Sequence, residues 1–310
     1  AMGAPMGGPM APAMGAPAGM AMGVPMGGPM APAMGAPMVA PRQMAMIQAA
    51  DAYNMLALMP AVKIEEKMNV LQTTLGVLGD VVGSHVDLNM ANKYVINTHE
   101  GHPFLFAVEQ SDCLNRNCCP DCRAIDIDIA VLGQDPRVYD QATGAVDWSF
   151  DPLGAGIDLS YSQKFMSMKK EFQLTCCCFN RPVTNVTDPS GQLLGRIRDP
   201  WACCDMNLTI EDPHGEEILK ARGGCCQPGL ICPCPFGPCR EVHFEIDDAK
   251  SGASVGKFRK IVPDCFKFIV ADNVDNYEVE FGQVQNPQWK ALLIALGLFV
   301  DFRYFNKRSD

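Results

Sequence analysis

The run Ala291-Leu292-Leu293-Ile294-Ala295-Leu296-Gly297-Leu298-Phe299-Val300 decides how the rest of the chain is read. It is apolar all round rather than along one stripe, with Trp289 before it and Phe302, Tyr304 and Phe305 after it. Pro287 precedes it, where a fixed φ and a missing N–H suit a first helical turn. Only ten uncharged residues lie between Lys290 and Asp301, whereas an α-helix needs about 20 to cross a bilayer. Arg303, Lys307 and Arg308 follow, and the positive-inside rule disfavours exporting them. The run is read as a core helix, with a single membrane span as the competing reading. A helix apolar on every side needs walls on every side.

Strands upstream can supply those walls. Ile125-Asp126-Ile127-Asp128-Ile129 alternates strictly, which puts three isoleucines on one face and two aspartates on the other. Met206 to Ile210, Val242 to Ile246 and Tyr277 to Phe281 alternate in the same way. Turn signals separate them: Asp188-Pro189-Ser190-Gly191, Asp212-Pro213-His214-Gly215 and Lys250-Ser251-Gly252. Short alternating strands punctuated like this predict an all-β barrel or sandwich, and a closed barrel around the terminal helix satisfies both patterns. Residues 62–82 read differently. Ile64, Met68, Leu71, Leu75, Leu78 and Val82 step by four and three, which predicts a helix.

The first 41 residues carry no charge and consist almost entirely of Ala, Gly, Met and Pro. Pro5 to Pro17 recurs identically as Pro25 to Pro37. Frequent proline removes backbone donors and frequent glycine raises the cost of order, so residues 1–61 are expected to be a disordered repeat tail and linker. The barrel is expected over 62–310, with its helix at about 288–305. Pro9-x-x-Pro12 and Pro29-x-x-Pro32 could dock on an SH3 or WW module.

The chain's net charge is −10, all of it after residue 41. An acidic chain is a poor non-specific ligand for nucleic acid or anionic headgroups, so no specific nucleic acid is expected, and membrane attachment would have to come from lipid chains or apolar surface. The 310 residues include 15 cysteines. No secretory leader is legible at the start, so the thiols are expected to be reduced and to face the cytosol. Cys176-Cys177-Cys178 stand side by side, which suits neither ordinary disulfides nor zinc. Adjacent thiols suit multiple thioester acylation, since one chain anchors reversibly and two or three hold stably. The alternative is a set of small buried residues in a strand. Cys119-Pro-Asp-Cys122, Cys225-Cys226, Cys232-x-Cys234 and Cys239 could join in zinc sites, but the second cluster lacks knuckle spacing and is rich in proline.

These pieces, taken in order, resemble the phospholipid scramblases. The resemblance is carried by Tyr94-Val95-Ile96, Phe104 to Glu109, Asp112-Cys113-Leu114-Asn115-Arg116-Asn117-Cys118-Cys119, Val242 to Ile246, Val255-Gly256-Lys257 and Asp301-Phe302-Arg303-Tyr304-Phe305. It implies a tubby-like closed barrel of antiparallel strands around a C-terminal hydrophobic helix. The Cys176 to Cys178 triplet aligns with the family's palmitoylated run, although that run continues where this chain has Phe179-Asn180.

The resemblance also implies an EF-hand-like calcium segment, Asn273 to Val284. A working loop needs oxygen ligands at positions 1, 3, 5 and 12, with a bidentate acid at the last. Here positions 1, 3, 5, 7, 9 and 12 are Asn273, Asp275, Tyr277, Val279, Phe281 and Val284, and only Asp275 is a good ligand in place. Tyr277, Val279 and Phe281 read equally as an alternating strand. Calcium here is expected to bind weakly, with Asp272 and Glu278 as further candidates. Gly256-Lys257-Phe258-Arg259-Lys260 falls where some family members carry a nuclear-import signal; three basic residues in five are also common on a solvated strand.

The chain contains no HExxH, GxSxG or P-loop motif, and no enzyme is expected. Two functions fit. The resemblance implies energy-independent, calcium-stimulated movement of phospholipids between leaflets, from the cytosolic face of the plasma membrane, with palmitate attached. An acyl-anchored adaptor that binds lipid or protein without moving lipid fits as well. Either could act as an oligomer.

Overall fold

The computed structural model describes residues 49–66, 92–110, 122–131, 163–175, 178–234, 236–262 and 276–305. Twelve strands form its wall: β1 Ala61–Glu66, β2 Lys93–Thr98, β3 Pro103–Glu109, β4 Ile125–Val131, β5 Lys164–Lys170 and β6 Val183–Thr187 come first. They are followed by β7 Leu193–Arg198, β8 Met206–Glu211, β9 Glu217–Gly223, β10 Glu241–Asp248, β11 Ser254–Ile261 and β12 Asn276–Glu280. Each strand pairs antiparallel with its neighbours in sequence, and β12 returns to β1 to close the barrel. Closure leaves no unpaired edge. The alternation read from the sequence is the alternation of the wall: Ile125, Ile127 and Ile129 are buried, as are Val242, Phe244 and Ile246. The turn glycines Gly191, Gly215 and Gly252 all take positive φ, between 68 and 87°, where a Cβ would clash with the backbone.

Helix α1, Ala49–Leu58, and helix α2, Pro287–Val300, complete the fold. Asn286 caps α2 by accepting from the Gln288 N–H at 2.9 Å, and Pro287 follows at the first helical position. Every residue from Lys290 to Val300 is buried. The terminal run is thus the filling of the barrel, with Leu293, Leu296 and Phe299 fully enclosed. Among the described residues no helix is long and apolar enough to cross a membrane. Gly297 lets α2 approach the wall closely: a Cβ there would sit 2.7 Å from Ile64 Cδ1 and 3.2 Å from Phe258 Cε2. Gly195 does the same from the wall, 2.8 Å from Leu292 Cδ1.

Two expectations need correction. The helix predicted from residue 62 is a strand as far as Glu66. Ala61, Val62 and Ile64 are buried, and Ile64 pairs with Tyr277 on one side and Ile96 on the other. Val62 and Ile64 already satisfy a period of two, and cross-strand partners on both sides outweigh a spacing of four to Met68. The remainder of that expected helix, 67–82, lies outside the described residues. The second correction concerns α1, which falls inside the stretch expected to be tail and linker. Its Ala52 and Leu56, four apart, are buried, and the Tyr53 ring lies 4.5 Å from that of Phe165. The repeats themselves, within residues 1–48, lie outside the described residues.

Candidate functional site

Because the strands run alternately up and down, the connections after even-numbered strands leave from one end of the barrel and those after odd-numbered strands from the other. Helix α2 follows β12, so it enters at the first end and its C-terminus emerges at the second. There the chain makes one wide π-helical turn, Asp301–Phe305, of a kind often found at functional positions.

A carboxylate at a helix C-terminus opposes the helix dipole, and Asp301 is also fully buried. It is satisfied by donors from the wall: the hydroxyls of Tyr94 on β2 and Tyr277 on β12 both donate to it. Burial, and after it the Asp301 charge, hold the Tyr94 phenol well above its ordinary pKa, so it remains a donor. A second acid, Asp199 at the end of β7, is equally buried. Its carboxylate accepts from Arg303 Nε at 2.7 Å and from the Tyr304 hydroxyl at 3.2 Å, and pairs with Arg181. Burial and the Asp199 charge push the Tyr304 hydroxyl up as well. Lys260 Nζ lies 3.8 Å from the Phe305 ring and the Arg123 guanidinium 4.9 Å from that of Phe302. The turn after α2 is a plug, pinned to the rim by two carboxylates and two cation–π contacts.

Around the plug, loops carry thiols. Among the described residues all nine cysteines are free, and each follows an odd-numbered strand: Cys122 after β3, Cys178 after β5, Cys203 and Cys204 after β7, and Cys225, Cys226, Cys232, Cys234 and Cys239 after β9. They therefore share the end where α2 emerges. Cys225 and Cys226 have their sulfurs 3.6 Å apart; that hydrogen bond raises the Cys225 pKa, and the one with Cys203 raises that of Cys204. The Cys225 and Cys204 thiols therefore stay protonated at neutral pH. Among the described residues no three His, Cys, Asp or Glu side chains gather as a metal site.

Of the acylation triplet, Cys178 is exposed, while Cys176 and Cys177 lie outside the described residues. Of the calcium candidates, Asn273, Asp275 and Asp272 also lie outside them. Tyr277, Val279, Phe281 and Val284 are core residues; Tyr277 and Val279 lie in β12, where alternate side chains point inward as the strand reading of this segment has it. Glu278 faces the other way and holds Arg259 at 2.5 Å. The basic segment 256–260 lies in β11. There Arg259 bridges Glu241, Glu278 and Glu280. The Asp301 and Asp199 networks were missed in the sequence. One signal was present: an acid directly after an apolar helix has to find donors.

The family model described as Scramblase matches residues 152–307. Phospholipid scramblase 2 of Bos taurus is 25% identical over 216 residues, covering 69% of this chain and 61% of its own length. Phospholipid scramblase 1 of Mus musculus is 24% identical over 221 residues, covering 71% and 56%. Phospholipid scramblase family member 5 of Homo sapiens is 25% identical over 240 residues, covering 76% and 73%. The chain thus spans little more than half the length of the first two relatives. No solved structure matches it.

Proposed function

The chain belongs to the scramblase family, and from that premise we propose that it moves phospholipids between the leaflets of a bilayer, without an energy source and with calcium as stimulant. The observation that carries this reading is the family match over residues 152–307, which takes in β5 to β12, α2 and the Asp301–Phe305 plug. Palmitate on Cys176, Cys177 and Cys178 would tether the barrel to the cytosolic leaflet of the plasma membrane, since two or three chains hold where one does not. The full chain reconstituted into liposomes tests it. Calcium should make a fluorescent lipid of the inner leaflet accessible to an impermeant quencher. Unchanged accessibility would overturn the reading. Changing the three cysteines to Ala should release the protein from cell membranes; a variant that stays bound without acyl chains places the anchor elsewhere.

A second reading has its own observation. Helix α2 fills the barrel interior with fully buried apolar side chains, so that interior offers no polar route for a headgroup. A monomer would have to disturb the bilayer from outside, or act in oligomers. An acyl-anchored adaptor that binds lipid or protein, with the proline-rich repeats reaching an SH3 or WW partner, avoids this difficulty. Binding to the same liposomes without lipid exchange would support the adaptor.

A further inference from the structure

The two ends of the barrel differ in chemistry. Three turns after even-numbered strands are short, polar and self-contained. Asp188 accepts from the Ser190 and Gln192 N–H groups at 2.9 and 2.8 Å, Asp212 from His214 and Glu216 at 2.9 Å each, and Asp248 from Ser251 at 2.7 Å. At the other end the loops after β5, β7 and β9 hold Phe172, Leu174, Phe179, Trp201, Ile231 and Phe236, each between 52 and 74% exposed. Among the described residues the other large exposed hydrophobics are Met55 and Leu58, on α1. Residues 224–239, the longest of these loops, contain no charged side chain.

Scattered exposed apolar residues need no explanation, but six on three neighbouring loops at one end do. We propose that this end of the barrel is a bilayer-seating surface, which inserts these side chains at the boundary between headgroups and acyl chains. The proposal rests on the reading of the protein as one that works on phospholipid membranes. Three observations select a bilayer rather than a protein partner. The apolar groups are spread over three separate loops, an arrangement that suits a broad bilayer surface better than a single shaped pocket. The long loop offers no charge for a complementary protein surface to pair with. Cys178, beside Phe179, is exposed at the same end, so an acyl chain there and the loop side chains would enter one leaflet. With a net charge of −10, the chain should not depend on anionic lipid.

The test uses the full chain made without acylation, and vesicles of pure phosphatidylcholine. The protein should bind, equally well at low and high salt, and its tryptophan emission should shift to the blue. The shift should vanish in Trp201→Phe. The triple variant Phe179→Glu, Trp201→Glu, Phe236→Glu should bind about tenfold more weakly or worse, with an unchanged melting temperature. The pair Met55→Glu, Leu58→Glu at the other end should bind normally. A triple variant that folds and binds like the parent would overturn the seat while leaving the family activity standing. A parent chain that scrambles lipid when reconstituted but does not bind these vesicles would overturn the seat and leave the rim as a protein-docking surface. A chain that neither binds nor scrambles would overturn both.

Discussion

The ammonium of Lys290 lies 2.7 Å from the carbonyl oxygen of Ala57, a residue 233 positions earlier. It also donates to Leu56 O at 3.1 Å and Met59 O at 2.8 Å. The last carbonyls of a helix have no intrahelical partner, and a cation near them is favoured by the dipole. One side chain from α2 therefore caps α1 and holds it beneath the barrel.

Lys290→Met should keep the apolar stem and remove the donors. Leaving buried carbonyls unsatisfied costs about 1–3 kcal/mol, so denaturant unfolding should show a loss of that size, with protease cleavage within α1 appearing first. Burial lowers the Lys290 pKa. The folded value is below the unfolded one, so the cost of burying the charge is present at low pH and is relieved as pH rises through the folded value.

Gly297→Ala tests how tightly α2 fits. The new methyl would stand 2.7 Å from Ile64 Cδ1. Overpacking costs about 1–3 kcal/mol, and the better helix propensity of alanine returns about 1. The variant should be destabilised by the difference, read as a lower denaturant midpoint at unchanged slope. Leu296→Asp places a carboxylate in the same core, which costs several kcal/mol against a domain stability of about 5–15, and should unfold the protein outright.

How much of this was legible can be argued from these same residues. Ile125 to Ile129 and Val242 to Ile246 declare their strands because alternation is a local property. The apolar run after Lys290 declares a core helix for the same reason. Ile64 misled because its neighbours fit two periods at once, and only its partners Tyr277 and Ile96 choose between them. The role of Lys290 could not be read at all: it looks like a flanking charge until α1 is in place. The plug was half legible. Asp301 stood out beside an apolar helix, but its donors lie 24 and 207 residues away.

Alkaline pH should loosen the barrel through its tyrosines. Tyr94 is held well above the ordinary value of 10.0, mainly by burial, Tyr304 is raised by burial and Asp199, and Tyr53 is pushed up to about 12 by burial and Asp188. In each case the folded pKa exceeds the unfolded one. Their contribution is full below about pH 10 and is lost as pH rises from there toward the folded values, at about 1.4 kcal/mol per pH unit for each tyrosine. Unfolding free energy measured in steps from neutral pH should be flat at first and then fall. Tyr94→Phe should lower the neutral value by about 1–3 kcal/mol and make the alkaline fall shallower. An unchanged slope would show that Tyr94 does not titrate with unfolding.

Calcium should bind the segment Asn273 to Val284 weakly. Position 1 is an uncharged Asn273, and position 12 is Val284, buried where a working loop has a bidentate glutamate. At position 5 the Tyr277 hydroxyl is already committed to Asp301, and Glu278 to Arg259, so recruiting either would break an existing pair. Sensor loops reach dissociation constants of about 10⁻⁷ to 10⁻⁵ M. With Asp275 as the one well-placed ligand, calorimetry on the purified chain should show binding on the order of millimolar or weaker. Micromolar binding abolished by Asp275→Ala would contradict this.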